Sequence, residues 1–178
     1  MITLEQQAVD EETDIAAAER MSEQYRDEHD FDTTVSKQGR ILLRTGVVEA
    51  IQMPRALGVR VLEALDKQGV ATPVVENWRT DFLTFLTSAA PAGDQRPVHL
   101  MQRASTPEVP APTLEVAVGL FQVAAIRTVG GTELPLPGPD DPVRAWLRRP
   151  TGRLAEFNPL AKLTVDIGAA VRQQEGRR

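Results

Sequence analysis

The sequence predicts an α+β fold: one domain with a mixed or antiparallel sheet of about five to seven strands and flanking helices. Residues 39–87 carry the main signal, because they read strand, turn, strand, helix, strand, strand in order. Shorter strand-like runs follow, and an amphipathic helix closes the pattern. The chain has 178 residues, 42% of them hydrophobic, which is ordinary for one globular domain with a buried core.

Residues 1–38 form an acidic, helix-prone leader. They hold eleven acidic and three basic side chains, a net charge of −8, so the rest of the chain carries +3 of the total of −5. Residues 3–27 are predicted to be helical, because alanines at 16–18 favour a helix and a thin apolar stripe runs along one side. The leader is a solvated segment, a loosely docked helix, or a helix available for a protein partner.

The central unit begins with two strands, over residues 41–44 and 47–53, joined by a turn at Thr45 and Gly46. Pro54 fits the first position of the helix that follows, because its missing N–H costs nothing there. Gly69 is placed to cap the end of that helix. The helix is expected to bury one face, which carries Leu57, Val61 and Leu65.

Two more strands complete the unit. Residues 70–76 indicate an edge-like strand, because Pro73 cannot donate to a hydrogen-bond ladder. Residues 82–87 are rich in residues that favour strands and are expected to lie in the centre of the sheet. Residues 104–113 hold three prolines and are expected to be an extended connection, followed by a short helix over 114–121.

The last third predicts a hairpin and two helices. A strand over residues 123–128 is expected to turn at Gly130–Gly131 and run back over 132–137. Asp141–Pro142 and Asn158–Pro159 each resemble a helix start, with a capping side chain followed by proline. The first of these helices would carry Trp146. The second would face inward with Leu160, Leu163, Ile167 and Val171, which closes an α+β domain over 39–172 and leaves 173–178 as a polar tail.

Several classes of chemistry are excluded by what the sequence lacks. With no cysteine there is no disulfide, thiol nucleophile or cysteine-ligated zinc, which is compatible with the cytoplasm. Neither a secretory signal nor an apolar run long enough for a membrane is expected. The phosphate-binding loops, the nucleophile elbow and the zinc-protease motif are all absent, so no cofactor and no metal site are expected.

Glu49 is the best single candidate for a special role, because it interrupts a run that should be buried and a buried carboxylate needs a partner. The alternative is an ordinary solvent-facing glutamate on a strand. His99 lies in another strand-like run, where a packed or surface role is expected. The hypothesis of an enzyme that uses Glu49 or His99 therefore stays open, although nothing else in the sequence supports it.

Basic and aromatic residues occur together in two places, at Trp78–Arg79 and over residues 144–149. Exposed aromatic rings among basic side chains are typical of nucleic-acid binding by stacking. Arg148 and Arg149 belong to the densest basic patch, although they fit equally well as a solvated helix end. Arg127 is a further candidate for contact with a phosphate, and its alternative role is that of a surface arginine at a strand end.

Three segments together resemble a known family. The first is a strand that leads into a helix, over residues 48–54. The second covers residues 79–85, and the third covers residues 125–137, with Trp146 after it. The order of the three is characteristic of the family. Over residues 39–170 the chain resembles a shortened form of the N-terminal domain of bacterial bifunctional DNA primase/polymerases, in the archaeo-eukaryotic primase superfamily.

The departures from this family imply a loss of catalysis. Its first motif has two acids one residue apart, whereas here only Glu49 is present and Ile51 stands in the second place. Phe82 stands where the family has a histidine, and Ala125 stands where it has an acid. A two-metal site needs clustered carboxylates, so the resemblance implies a degenerate relative without enzyme activity.

The sequence therefore predicts a non-catalytic binding or regulatory module that acts through a protein partner, reached through the acidic leader. The alternative is an accessory protein that binds a nucleotide or nucleic acid without catalysis. That alternative requires Arg127, Arg148 and Arg149 to share one face, and its binding should weaken steeply with salt.

Overall fold

A computed structural model of the chain describes residues 4–90, 119–128 and 130–175. Within these residues eight strands form two antiparallel sheets flanked by helices, which confirms the expected α+β class. The elements are α1 (Leu4–His29), β1 (Thr33–Val35), β2 (Ile41–Arg44), β3 (Val48–Pro54), α2 (Arg55–Lys67), β4 (Val74–Asn77), β5 (Phe82–Ser88), β6 (Ile126–Arg127), β7 (Glu133–Pro135), β8 (Arg144–Arg148) and α3 (Phe157–Glu175). None of the helices in these ranges is long and apolar enough to cross a membrane.

The larger sheet has five strands in the order β6-β3-β5-β4-β8. The predicted central position of β5 is confirmed, and it pairs with β3 along its whole length, from Val48↔Ser88 to Pro54↔Phe82. One face of this sheet packs on α2 and α3 in a hydrophobic core. The predicted inward face of α2 is confirmed, because Leu57, Val61 and Leu65 are buried there.

The smaller sheet has the order β1-β2-β7 and was not expected as a separate sheet. It shares a second core with α1 and with the opposite face of the larger sheet. Ala18 and Tyr25 of α1 are buried in this core beside Ile41 and Leu43 of β2. The boundary predicted after residue 38 falls inside the β1–β2 pair, so the later part of the leader packs as part of the body.

Local signals mark both ends of α2, although Pro54 was expected to be its first residue and lies just outside it. Pro54 is the last residue of β3 and stands just before the helix rather than in it, with an extended backbone (φ −53°, ψ 141°). Gly69 has a φ of +68°, the left-handed conformation that glycine adopts most easily after a helix. Its N–H donates to the carbonyl of Asp66, which closes the last turn.

Gly58 lets α2 approach the sheet closely. A Cβ at this position would lie 2.8 Å from Cδ1 and 3.0 Å from Cβ of Leu83 on β5. Alanine in a helix interior normally stabilises by about 1 kcal/mol over glycine, whereas overpacking a core costs about 1–3 kcal/mol. We therefore expect Gly58→Ala to lower the free energy of unfolding by about 1 kcal/mol, measured by urea denaturation.

If the contact between the new methyl group and Leu83 causes this loss of stability, a smaller side chain at position 83 should reduce the loss. Gly58→Ala combined with Leu83→Val should cost less than the sum of the two single changes, because the shorter side chain makes space for the new methyl group. A stabilised Gly58→Ala variant would show that α2 can move away from the sheet at no cost.

The predicted edge position of residues 70–76 is wrong. β4 begins at Val74 and lies between β5 and β8. Pro73 precedes the strand, so no N–H of the ladder is lost, and its carbonyl accepts a hydrogen bond from the N–H of Leu86 at 3.0 Å. A proline just before a strand is therefore compatible with an interior position.

The predicted hairpin over residues 123–137 is also wrong. β6 pairs with β3 in the larger sheet, whereas β7 pairs with β2 in the smaller one. The chain is directed to the second sheet by Thr45, whose N–H donates to the carbonyl of Thr132 at 2.8 Å and whose carbonyl accepts from the N–H of Gly131 at 2.7 Å. The glycine turn therefore connects two sheets.

The helix predicted after Asp141–Pro142 is a strand, β8. Oδ1 of Asp141 accepts hydrogen bonds from the N–H groups of Val143 and Arg144, at 2.8 and 3.0 Å. This is a local turn that an aspartate forms as readily as a helix cap. The following residues then pair with β4 (Val75↔Trp146), where an irregularity in the register leaves Leu147 exposed.

The last helix begins slightly earlier than predicted: α3 starts at Phe157, so Asn158, the predicted cap, and Pro159 both lie in its first turn. Leu160 is buried, and Leu163 and Ile167 pack partly buried against the same core. The helix extends through residue 175, into the predicted polar tail. A helical segment at residues 119–122 agrees with part of the short helix predicted over 114–121, whereas the predicted connection over 104–113 lies outside the described residues.

Candidate functional site

Glu49 and Arg127 form a buried ion pair on the helix-facing side of the larger sheet. Oε2 of Glu49 lies 3.5 Å from Nη2 of Arg127, and the two side chains are only 4% and 3% exposed. The solvent-facing alternative for Glu49 and the surface alternative for Arg127 are therefore both wrong. The partner that a buried Glu49 requires is supplied by Arg127.

The backbone brings these two side chains together. β6 pairs with β3 (Ile51↔Arg127), and Thr128 continues the contact by donating its N–H to the carbonyl of Ala50 at 2.8 Å. The Arg127 guanidinium also lies over the ring of Phe157 in α3, 4.8 Å from its centroid. Arg127 thus joins the sheet to α3 and does not present its charge at the surface.

The three positions compared with the primase/polymerase motifs do not form one cluster. Glu49 is opposite Thr87 in the β3–β5 pair, whereas Phe82 is opposite Pro54 at the other end. At about 3.4 Å a residue, that separation along the strands is about 17 Å. Ala125 is buried just before β6 and lies in the core shared with the helices. The resemblance itself stays a prediction.

Arg148 and Arg149 lie far from Arg127. Arg148 is the last residue of β8, at the opposite edge of the larger sheet from β6, and it is paired with Asp66 at the end of α2. Arg149 is exposed just after β8. The three arginines therefore do not share one face, and the helix end proposed for Arg148 and Arg149 is a strand end.

A cavity of about 470 Å³ lies between α1, the turn after β4, and the segment from Pro137 to Pro150. Its wall includes the only tyrosine of the chain, Tyr25, and both tryptophans, Trp78 and Trp146. The two basic–aromatic clusters of the sequence converge here, since Arg144 and Arg149 also line the cavity. We call this cavity the aromatic pocket.

Hydrogen bonds hold the three aromatic side chains in place. The Tyr25 hydroxyl donates to the carbonyl of Pro137 at 3.0 Å and accepts from Nε1 of Trp146 at 2.7 Å. Nε1 of Trp78 donates to the carbonyl of Pro142 at 2.9 Å. Because these polar atoms are bonded within the protein, the rings contribute mainly apolar and π surface to the pocket.

His29 extends the aromatic wall. Its ring centroid lies 6.4 Å from that of Tyr25 and 5.6 Å from that of Phe31, and Nε2 is 3.9 Å from a carboxylate oxygen of Glu28. Nδ1 is buried and has no hydrogen-bond partner in the part of the chain that the structure describes. Glu28 and His29 line the pocket together with Tyr25, along one side of α1.

The pocket carries charges of both signs. Asp141 and Arg144 form an ion pair at 3.4 Å, which neutralises one charge of each sign. Glu28, Asp140 and Arg149 remain, and all three are exposed. The pocket can therefore receive a ligand that combines an apolar or aromatic surface with a charged group.

Burial raises the pKa of Tyr25 above its ordinary value, although the hydrogen bond from Trp146 and the charge of Arg149 act to lower it. The folded state thus holds this proton more tightly than the unfolded state does. Stability linked to Tyr25 is complete below the unfolded pKa of about 10 and declines as the pH rises through the folded pKa.

We accordingly expect the free energy of unfolding of Tyr25→Phe to fall less steeply at alkaline pH than that of the unmodified chain. At neutral pH the substitution should cost about 1–3 kcal/mol, because the two hydrogen bonds of the Tyr25 hydroxyl are lost. Urea unfolding at increasing pH tests both effects, and the phenolate absorbance of this single tyrosine follows its ionisation. Parallel pH profiles of the two proteins would contradict the assignment, because every other side chain is the same in both.

Sequence reasoning identified part of this site. It singled out the clusters that contain Trp78, Trp146 and Arg149, but it did not connect them with Tyr25 or His29. The available signal was the helical spacing of Met21, Tyr25, Glu28 and His29, which places them along one side of α1. His99 lies outside the described residues.

Comparisons with protein-family models, with curated protein sequences and with solved structures find no match for this chain.

Proposed function

We propose that this chain is a non-catalytic binding module that recognises a protein partner at the aromatic pocket. The observation that carries the proposal is the convergence of Tyr25, Trp78 and Trp146 on one cavity, beside Arg144 and Arg149. Tryptophan, tyrosine and arginine are the residues that most often dominate the binding energy of protein interfaces. None of the five phenylalanines lines this cavity.

The buried pair supports the non-catalytic part of the proposal. Two-metal phosphoryl transfer requires carboxylates that can take up metal ions, whereas the Glu49 carboxylate faces the guanidinium of Arg127 inside the core. Phosphate recognition by Arg127 is disfavoured for the same reason. The resemblance to a degenerate primase/polymerase domain is compatible with this arrangement.

The leader contributes to the proposed binding surface. The end of α1 forms one wall of the pocket through Tyr25, Glu28 and His29. Other acidic side chains of α1, including Glu19, Glu23 and Asp27, are exposed to solvent. A partner that reaches the pocket can thus also contact the acidic surface of α1, as the sequence predicts.

The alternative, a nucleic-acid-binding accessory protein, has less support. Arg127 is buried and Arg148 is paired with Asp66, so the expected basic face is not formed. The carboxylates of Glu28 and Asp140 at the pocket would repel phosphate groups.

Affinity capture with the full chain tests the proposal. The unmodified chain is compared with Trp78→Ala and with Phe121→Ala, a matched control because Trp78 and Phe121 are 50% and 51% exposed and Phe121 lies outside the pocket. We expect a partner that the unmodified chain and Phe121→Ala retain and Trp78→Ala loses. With that partner purified, calorimetry should show that Trp78→Ala binds it with about thirtyfold lower affinity than the unmodified chain does.

Two results would count against the proposal. Equal affinity of the partner for Trp78→Ala and for the unmodified chain would remove the pocket from the interface. Salt-sensitive binding of labelled single-stranded DNA that Arg149→Gln weakens would favour the nucleic-acid alternative.

A further inference from the structure

We infer that the aromatic pocket receives a cationic side chain, the guanidinium or ammonium group of a basic segment in the partner. This inference rests on the proposed function and specifies the chemical group that the same pocket would bind. It follows from the ring surfaces, from the charges along the wall, and from Arg149, an arginine of the chain itself that lines the same pocket.

The two tryptophans provide most of the aromatic surface that can attract a cation, because Tyr25 is only 7% exposed. The rings of Tyr25 and Trp146 meet edge to face, with centroids 5.9 Å apart and planes at 82°, and Trp78 is half exposed beside them. Tryptophan and tyrosine faces attract ammonium and guanidinium groups, and the attraction is strongest where water is excluded. The buried Arg127, over the ring of Phe157, uses the same interaction elsewhere in the fold.

The charges of the wall also favour a cation. Once Asp141 and Arg144 are counted as a pair, the wall keeps two carboxylates, Glu28 and Asp140, and one arginine, Arg149, beside the imidazole of His29. The Glu28 carboxylate is held in position by a hydrogen bond from Nε2 of Gln24 at 3.0 Å. A basic side chain would therefore gain attraction from this wall, whereas a phosphate would be repelled by it.

Arg149 is an internal competitor for the incoming cation. It lies close enough to Tyr25 for its charge to act on the phenol, and it is exposed at the pocket wall. Removing its charge should leave the rings in place and make the pocket more negative. This gives a variant that should improve binding, which a loss of folding cannot imitate.

Intrinsic fluorescence follows this pocket selectively, because both tryptophans of the chain line it. We propose to titrate the full chain with N-acetyl-arginine amide and, as a matched neutral analogue, with N-acetyl-citrulline amide. The arginine derivative should change the tryptophan emission in a saturable manner, and the citrulline derivative should bind about tenfold more weakly. Inorganic phosphate, the third ligand, should not compete.

The variants separate attraction by charge from a general effect on the fold. Glu28→Gln and Asp140→Asn should each weaken binding of the arginine derivative about two- to fivefold, and Arg149→Gln should strengthen it by a similar factor. The inference is overturned if the citrulline derivative binds as tightly as the arginine derivative, or if the arginine derivative causes no saturable change in emission. It is also overturned if Arg149→Gln binds the arginine derivative more weakly than the unmodified chain does.

Failure here is distinct from failure of the proposed function. If a captured partner depends on Trp78 but the pocket does not distinguish arginine from citrulline, the binding module stands and the cationic ligand is wrong. If Trp78→Ala leaves partner binding unchanged, the proposed function itself falls, whatever the small ligands do.

Discussion

Arg127→Met is expected to lower the free energy of unfolding by about 3–5 kcal/mol. The change removes the guanidinium that faces the Glu49 carboxylate, 4% exposed, inside the core. Methionine retains much of the apolar stem of the arginine, so the loss reports mainly on the charge. Urea denaturation, followed by circular dichroism, measures the difference.

Arg148→Met is the matched control, because the same substitution is made in a pair at the surface. Arg148 and Asp66 have side chains 25% and 56% exposed, and solvent-exposed pairs contribute about 0–1 kcal/mol. A double variant, Glu49→Leu with Arg127→Met, should recover most of the stability, because a buried ion pair can be replaced by apolar side chains at little cost. A loss below about 1 kcal/mol for Arg127→Met would show that the pair is not buried in solution.

Phe157→Ala is expected to cost about 3–5 kcal/mol. Phe157 is 1% exposed at the start of α3 and belongs to the core between the helices and the larger sheet. Removing the ring leaves a cavity and also takes away the aromatic face beneath Arg127. Phe157→Leu keeps most of the apolar volume, so we expect it to cost less than the alanine variant.

A double-mutant cycle isolates the contact between ring and guanidinium. Phe157→Leu and Arg127→Met are measured singly and together, and the coupling should be about 1–2 kcal/mol in favour of the native pair. Phe31→Leu provides the control, because Phe31 is equally buried but lies in the other core. Strictly additive losses for Phe157 and Arg127 would show that the ring only fills space.

The part of the fold that the sequence predicts well is the part defined by local signals. Pro54 and Gly69 mark the ends of α2, and runs of residues that favour strands mark β3 and β5. β8 was missed because Asp141 followed by proline fits a turn as well as a helix cap, and only pairing with β4 decides between them. The second sheet was missed because β7 finds its partner β2 across the whole domain.

The candidate site was predictable to a similar extent. Burial alone indicated that Glu49 needs a partner, but Arg127 lies 78 residues further along the chain and reaches it only because β6 adds to β3. The charged tryptophan clusters were visible in the sequence. Their meeting with Tyr25 depends on how α1 packs against β8, which no local pattern encodes.

The position of β7 has a consequence for how the protein is made. Leu42 of β2 pairs with Pro135, so α1, β1 and β2 leave the ribosome well before the strand that completes their sheet. Until Leu134 has been synthesised and has packed, the core around the apolar side chains of Ile41 and Leu43 is incomplete. Contacts between such distant segments slow folding, so these apolar side chains stay exposed for longer than they would in a fold built from local contacts.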